Sequence, residues 1–436
     1  MEPFHTPITI PIPYTFNSNI NPNIAASTNC TINPWMDCRI WSRLPQSLID
    51  RVIASLPPPA FFRSRAVCKR WYGLIFSTTF IELYLQVSPS RHWFLFFKQQ
   101  TLKNCIYRNN SSSSHHRPNC EAYLFDPENS KWYRLGVPLI PPGVSPASSS
   151  GGLICFVSED AGSKSILLCN PLMGTLIQLP STLRPRLCPS IGLTITNSSI
   201  DLLFAGDDLI SPYAVKNLTS ESFHIDGGGF YSIWGTTASL PRLCSLESGR
   251  MVHVEGRFYC MNYSPFSVLA YDVGLNQWGK IQAPMRRFLR SPSLVESHGK
   301  LILVAAVEKS KLNVPKSLRL WTLQECGTLW VEIERMPQQL YNQFVEIEWG
   351  RGFNSVAHGD FLVLIIKASD KALLFDFCRK RWSWISPCPY VNNNNNNGDD
   401  DGDDEELHGF AYDPRLAIPI TALLEQLTLP FNSFTA

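Results

Sequence analysis

From residue 44 to residue 76 the apolar positions recur at helical spacing, and from residue 93 onward they come as short runs bounded by turns. Leu48, Ile49, Val52, Ile53 and Leu56 fall on one stripe of a helix that begins near Pro45. Pro57, Pro58 and Pro59 end that helix. A second apolar group, Phe61, Phe62, Val67, Trp71, Leu74 and Ile75, is interrupted by Arg63, Arg65, Lys69 and Arg70, as expected of short helices with one dry and one wet face. So small a unit has little interior. Part of the stripe forms its core, and Leu44, Pro45 and the rest are too apolar for a free surface.

The remainder reads as β-structure with an internal repeat. VLAYDVGLNQWGKI (268–281), ALLFDFCRKRWSWI (372–385) and AYLFDPENSKWYRL (122–135) each give an apolar strand ending in an acid, a polar turn, and a strand opening on Trp. Looser copies are SILLCNPLMGTLIQL (165–179), YAVKNLTSESFHI (213–225) and LRLWTLQECGTLWVEI (318–333). The residue opening each last strand falls at 132, 177, 223, 278, 330 and 382, separations of 45, 46, 55, 52 and 52. Paired strands with a Gly turn precede most copies, as in RMVHVEGRFYCMNY and FNSVAHGDFLVLII. Six four-stranded units predict a six-bladed β-propeller, since a β-sandwich would not explain the regular period. The first unit has only WFLFFKQ (93–99) before AYLFD, so LHGFAYDPR (407–415) is expected to supply its innermost strand and close the ring.

Two family resemblances follow from these residues. Leu44-Pro45, the aliphatics from Leu48 to Ile53, Leu56-Pro57 and Val67-Cys68-Lys69-Arg70-Trp71 together resemble the F-box, with Pro58-Pro59-Ala60-Phe61 standing where an acidic residue is usual before the second helix. The resemblance implies that Leu44, Pro45, Leu48, Ile49, Val52, Ile53, Leu56, Val67, Cys68 and Trp71 dock on an SKP-family adaptor and, through it, on a cullin ubiquitin ligase. The repeat is similar to kelch, with Gly151-Gly152 as its clearest glycine pair. The fold class is thus a small all-α F-box module (37–86) followed by an all-β six-bladed kelch-type propeller (90–436) closed by a C-terminal strand.

Residues 1–36 lack periodicity and are expected to be a disordered lead-in. The runs Asn109–Ser114 and 391–406, the latter ending in seven acids, read as loops inserted in the propeller. A net charge of +2 excludes nucleic-acid binding by the chain as a whole and leaves only local clusters to provide it. Thirteen cysteines without a C-x-x-C pair point to a reducing compartment. With no basic-then-apolar leader and no long apolar run, no membrane is expected, and the chain is expected in the nucleus or cytosol.

Taken whole, the chain after its lead-in resembles plant F-box and kelch receptors of the UNUSUAL FLORAL ORGANS and FIMBRIATA type. That resemblance implies a ubiquitin-ligase receptor of the floral meristem whose partner is a LEAFY-type transcription factor in the nucleus. Propeller topology places the interblade loops on one face: Arg184 and Arg186, Arg242 and Arg250, Arg286, Arg287 and Arg290, and Arg351. On it Met285-Arg286-Arg287-Phe288-Leu289-Arg290 interleaves two exposed apolar residues with arginine, a composition suited to partner or phosphate contact. Arg184, Arg186, Arg286, Arg287, Phe288, Arg290 and Arg351 are therefore candidates for touching the partner or its DNA in a ternary complex. Arg379-Lys380-Arg381 lies on the opposite face and reads as a solubilising turn.

No nucleophile elbow, phosphate loop or H-E-x-x-H motif is present, and no cofactor is expected. His115, His116 and Cys120 sit in a Ser-rich loop without a fourth metal ligand at a recognisable spacing. A co-regulator that binds a DNA-bound factor without degrading it would share all these features.

Overall fold

The computed structural model describes residues 43–98 and 121–417, apart from 138–139, 142, 187, 197, 209–216, 227–232, 248, 264, 309–315 and 391–406. The expected lead-in, the Asn109–Ser114 loop with His115, His116 and Cys120, and the acidic insert lie outside the described residues.

Helix α1 (Gln46–Ser55) starts immediately after Pro45, whose carbonyl accepts from Leu48 and Ile49. The triple proline serves twice: α1 stops at Leu56, and Pro58 and Pro59 open α2 (Pro58–Ser64), where the missing N–H groups cost nothing. Cys68 caps α3 (Lys69–Gly73) by accepting from the Trp71 N–H, and Ser77 caps α4 (Thr78–Val87) by accepting from Phe80. Ile53, Ala54, Phe61, Leu74, Ile75, Phe80 and Tyr84 form the core of this module, joined by Leu416 from the far end of the chain.

Six main sheets follow, antiparallel apart from the short Gly249–Arg250 strand added to the third, and they form a six-bladed β-propeller. The first blade is ordered Leu407–Tyr412, Trp93–Lys98, Glu121–Asp126, Lys131–Gly136, so the C-terminal strand supplies the innermost position as the sequence predicts. It pairs from Trp93 opposite Tyr412 to Lys98 opposite Leu407. Gly409 is required there, because a Cβ would come within 2.4 Å of Ile365 and 2.9 Å of Phe96.

Apolar clusters fill every seam between neighbouring blades, which the alternation of strand side chains onto two faces makes possible. Several of the tryptophans that open outer strands fasten these seams. Trp132 donates to the Ser386 carbonyl of the sixth blade's end at 2.9 Å, and Trp330 to Gln282 of the fourth blade at 2.8 Å.

The third blade corrects the sequence reading. Leu218–Asp226 is its third strand, not the end of a hairpin, and Phe223 sits opposite Leu202. The outer strand is Ile233–Thr236, and Trp234 takes the fastening role by donating to Pro180 at 2.9 Å. The insertion lengthened this unit, so position 223 only mimicked the repeat. Helix α5 (Gln338–Glu348) is a second departure: it links the fifth and sixth blades and buries Tyr341 and Phe344 against both.

Candidate functional site

The candidate residues fall on two surfaces at opposite ends of the propeller. On the F-box, Pro45, Leu48, Val52, Val67 and Cys68 are exposed, Val67 by 66%, while Leu44, Ile49, Leu56 and Trp71 are half-buried. Ile53, the fourth residue of the stripe, is instead part of the module's core at 2% exposure, in the same cluster as Phe61 and Phe80. Tyr72 and Phe76 are exposed apolar residues that the stripe alone did not single out. Arg70 and Asp50 pair at 2.6 Å and tie α3 to α1, which fixes the relative placement of these groups.

The module is seated by the segment after the closing strand. Asp413 accepts from the Ser90 hydroxyl at 2.8 Å and the Arg91 N–H at 3.0 Å. Asn170, at the end of the second blade's third strand, donates to Arg415 and Leu416 carbonyls, and Met173 in the next turn packs on the module. Those contacts all lie at the end where strands one and two, and strands three and four, turn. The linkers between blades emerge at the other end.

Each of four successive linkers exposes one large apolar residue beside an arginine: Leu183 with Arg184, Leu243 with Arg242, Phe288 with Arg286 and Arg287, and Trp349 near Arg351. Leu243 is 89% exposed and Trp349 81%. Leu243, Phe288 and Trp349 have positive φ (58°, 69° and 43°), so the backbone turns there and lifts the side chain outward. Single exposed apolar residues are ordinary, and here the same pairing recurs in four linkers on one face.

Several expected members of this face have other work. Arg186 is fully buried and pairs through Nε with the equally buried Glu221 at 2.9 Å, while its Nη1 donates to the Gly206 and Thr219 carbonyls and its Nη2 to the Thr219 hydroxyl. It holds the third blade and cannot touch a partner. Arg290 is partly buried and held by Glu348 at 2.6 Å; burial alone would lower its basicity, but Glu348 keeps it raised. Arg250 turns into the axial channel and donates to Gly409. Leu289 is buried in the fifth blade's inner strand, leaving Phe288 as that loop's exposed apolar residue. Arg184 keeps substantial exposure while bonded to Asp208 at 2.8 Å, and Arg351 remains exposed with one nitrogen on the Ala368 carbonyl. Charge alone does not reveal these differences, because Glu221 and Glu348 are distant in sequence.

Residues 41–82 match the F-box domain family, and residues 124–341 match the KIB1-4 β-propeller family. Over 427 residues, 97% of both chains, the sequence is 60% identical to Protein UNUSUAL FLORAL ORGANS of Arabidopsis thaliana. The chain belongs to the UNUSUAL FLORAL ORGANS family. A rice relative of this UNUSUAL FLORAL ORGANS homologue, Protein ABERRANT PANICLE ORGANIZATION 1 of Oryza sativa subsp. japonica, is 42% identical over 89% of this chain and 92% of its own. SKP1-interacting partner 15 of Arabidopsis thaliana is 24% identical over 79% of this chain and 92% of its own. The two families that the UNUSUAL FLORAL ORGANS homologue matches are an F-box domain and a β-propeller, and neither is an enzyme family.

Proposed function

We propose that the chain is the substrate-recognition subunit of an SCF-type ubiquitin ligase, binding an SKP-family adaptor through its F-box and a LEAFY-type transcription factor through the opposite propeller face. The observation that carries this reading is the separation of the two surfaces: the F-box is seated at the hairpin-turn end, and the four apolar and basic linkers project from the other. A receptor so built can hold adaptor and partner at once. The relative named for SKP1 interaction supports the choice of adaptor.

The chain contributes no chemistry of its own to ubiquitin transfer in this scheme. It works in the nucleus of the floral meristem, where Arg286 and Arg287 meet the phosphates of the DNA to which the factor is bound. The test is co-expression with an SKP-family adaptor. Full-length protein is expected to co-purify with it, and Leu48→Asp combined with Val52→Asp is expected to lose the adaptor while the propeller melts unchanged. Retention of the adaptor by that double variant would refute the reading.

A further inference from the structure

The innermost strands of the six blades surround an axial channel, and the part of it nearer the F-box widens into a cavity of about 240 Å³. Its wall is unlike the aliphatic seams between blades: Ser148, Ser150, Thr194, His253, Ser355 and His358 all line it. Arg250 closes its inner end. The short Gly249–Arg250 strand runs beside Ser190 and Ile191 of the third blade, and the Arg250 side chain crosses the channel to donate to Gly409 of the closing strand at 2.6 Å. Its guanidinium carbon lies 4.7 Å from the Phe410 ring centroid.

Two groups in this wall are incompletely satisfied. A guanidinium carries five N–H donors, and Gly409 takes one of them. Burial lowers the Arg250 pKa to about 10, and among the described residues no carboxylate pairs with it. The Ser355 hydroxyl, in a residue only 7% exposed, has no hydrogen-bond partner among the described residues. Buried polar groups in this condition cost stability unless something meets them. The carboxylates on the wall do not serve, because both are engaged at the mouth. Asp413 accepts from Ser90, Arg91 and Arg415, and Glu296 accepts from the Gly299 N–H at 2.7 Å.

We propose that the channel is a binding site for a compact organic anion, a carboxylate or a phosphate ester, whose charged end meets Arg250 and whose remaining oxygens meet Ser355 and the other channel hydroxyls. Arg250 supplies charge, the ring of hydroxyls supplies adaptable hydrogen bonds, and the Phe410 ring holds the guanidinium in place from one side. This site is separate from both protein-binding faces. Because the closing strand carries Gly409 and Phe410 and leads directly to the segment that seats the F-box, an occupant also braces the junction of the two modules.

The test uses the full chain co-purified with its adaptor, titrated at constant ionic strength with citrate, with inorganic phosphate and with uncharged glycerol, and followed by melting temperature and calorimetry. A ligand that binds only the folded state raises melting in a saturable way. Citrate or phosphate is expected to do so and glycerol not, and the tighter of the two identifies carboxylate or phosphate chemistry. Arg250→Gln is expected to abolish the effect. Ser355→Ala, which leaves the arginine and the fold undisturbed, is expected to weaken binding roughly three- to ten-fold. Absence of any saturable effect, or an equal effect in Ser355→Ala and wild type, overturns the proposal even if Arg250→Gln fails to fold.

Discussion

The backbone N–H of Leu416 donates to the hydroxyl of Tyr84 at 3.2 Å. The bond joins residues at opposite ends of the described chain, and the Leu416 side chain lies in the F-box core beside it. The segment that completes the first blade therefore also anchors the adaptor module. Burial raises the Tyr84 phenol above its ordinary pKa, so it stays a neutral hydroxyl in any physiological solution.

Leu416→Ala removes a side chain that is 2% exposed and should cost about 2–5 kcal/mol. Tyr84→Phe leaves a buried N–H unmet and should cost about 1–3 kcal/mol. Thermal unfolding measures both, and limited proteolysis between α4 and the first propeller strand should accelerate in each variant. Unchanged melting in Leu416→Ala would mean that the module is held by other contacts.

Exposed and buried positions of the α1 stripe should separate cleanly. Leu48→Ala with Val52→Ala is expected to weaken adaptor binding at unchanged melting temperature, since both side chains are about half exposed. Ile53→Ala is expected to lower the melting temperature of the module by removing core volume, at a cost of about 2–5 kcal/mol. Calorimetric unfolding beside an adaptor titration distinguishes the two outcomes.

Arg186 gives a test of burial against surface charge. Arg186→Met leaves Glu221 buried without its cation and should destabilise the propeller by about 3–5 kcal/mol. Adding Glu221→Leu should recover much of that loss, because an apolar pair of similar volume avoids the unpaired charge. Chemical denaturation gives both values; if the single variant is as stable as wild type and instead loses partner affinity, Arg186 belongs to the partner face after all.

Acidification should weaken the fold through His358. Burial lowers its pKa, and its Nδ1–H donates to the Trp93 carbonyl at 3.0 Å. The unfolded imidazole takes a proton near its ordinary value of about 6.5 while the folded one resists. Stability from the neutral ring is therefore complete above that pH and declines as pH falls toward the folded value. His253 is lowered by burial in the same sense, whereas Asp201 raises the exposed His224 and opposes them. The decline in melting temperature from about pH 7.5 to about pH 5.5 should be smaller in His358→Gln, and an identical profile would contradict the assignment.

Legibility in the sequence followed the range of the interactions. Helix starts and stops are set by Pro45 and the triple proline, and the strands by local alternation and by a Trp opening most outer strands, so the F-box and the blades other than the third could be read directly. The closing strand was found by counting strands. What depended on distant partners could not be read: Arg186 and Arg290 became structural through Glu221 and Glu348, Ile53 turned inward through Phe61 and Phe80, and Arg250 entered the channel through Gly409. The third blade failed because its outer strand follows an insertion that shifted Trp234 off the repeat. Helix α5 did show Leu340, Tyr341, Phe344 and Val345 at helical spacing, a signal obscured by the surrounding strand pattern.

The two-faced receptor is tested most directly by assembling a single complex of adaptor, full chain, LEAFY-type factor and its DNA, and comparing wild type with Arg286→Ala, Arg287→Ala, Phe288→Ser in one chain. The account predicts that this variant still carries the adaptor but loses the factor and DNA, with a smaller salt dependence in whatever binding remains. Full assembly with unchanged salt dependence, or loss of the adaptor along with the factor, would contradict it.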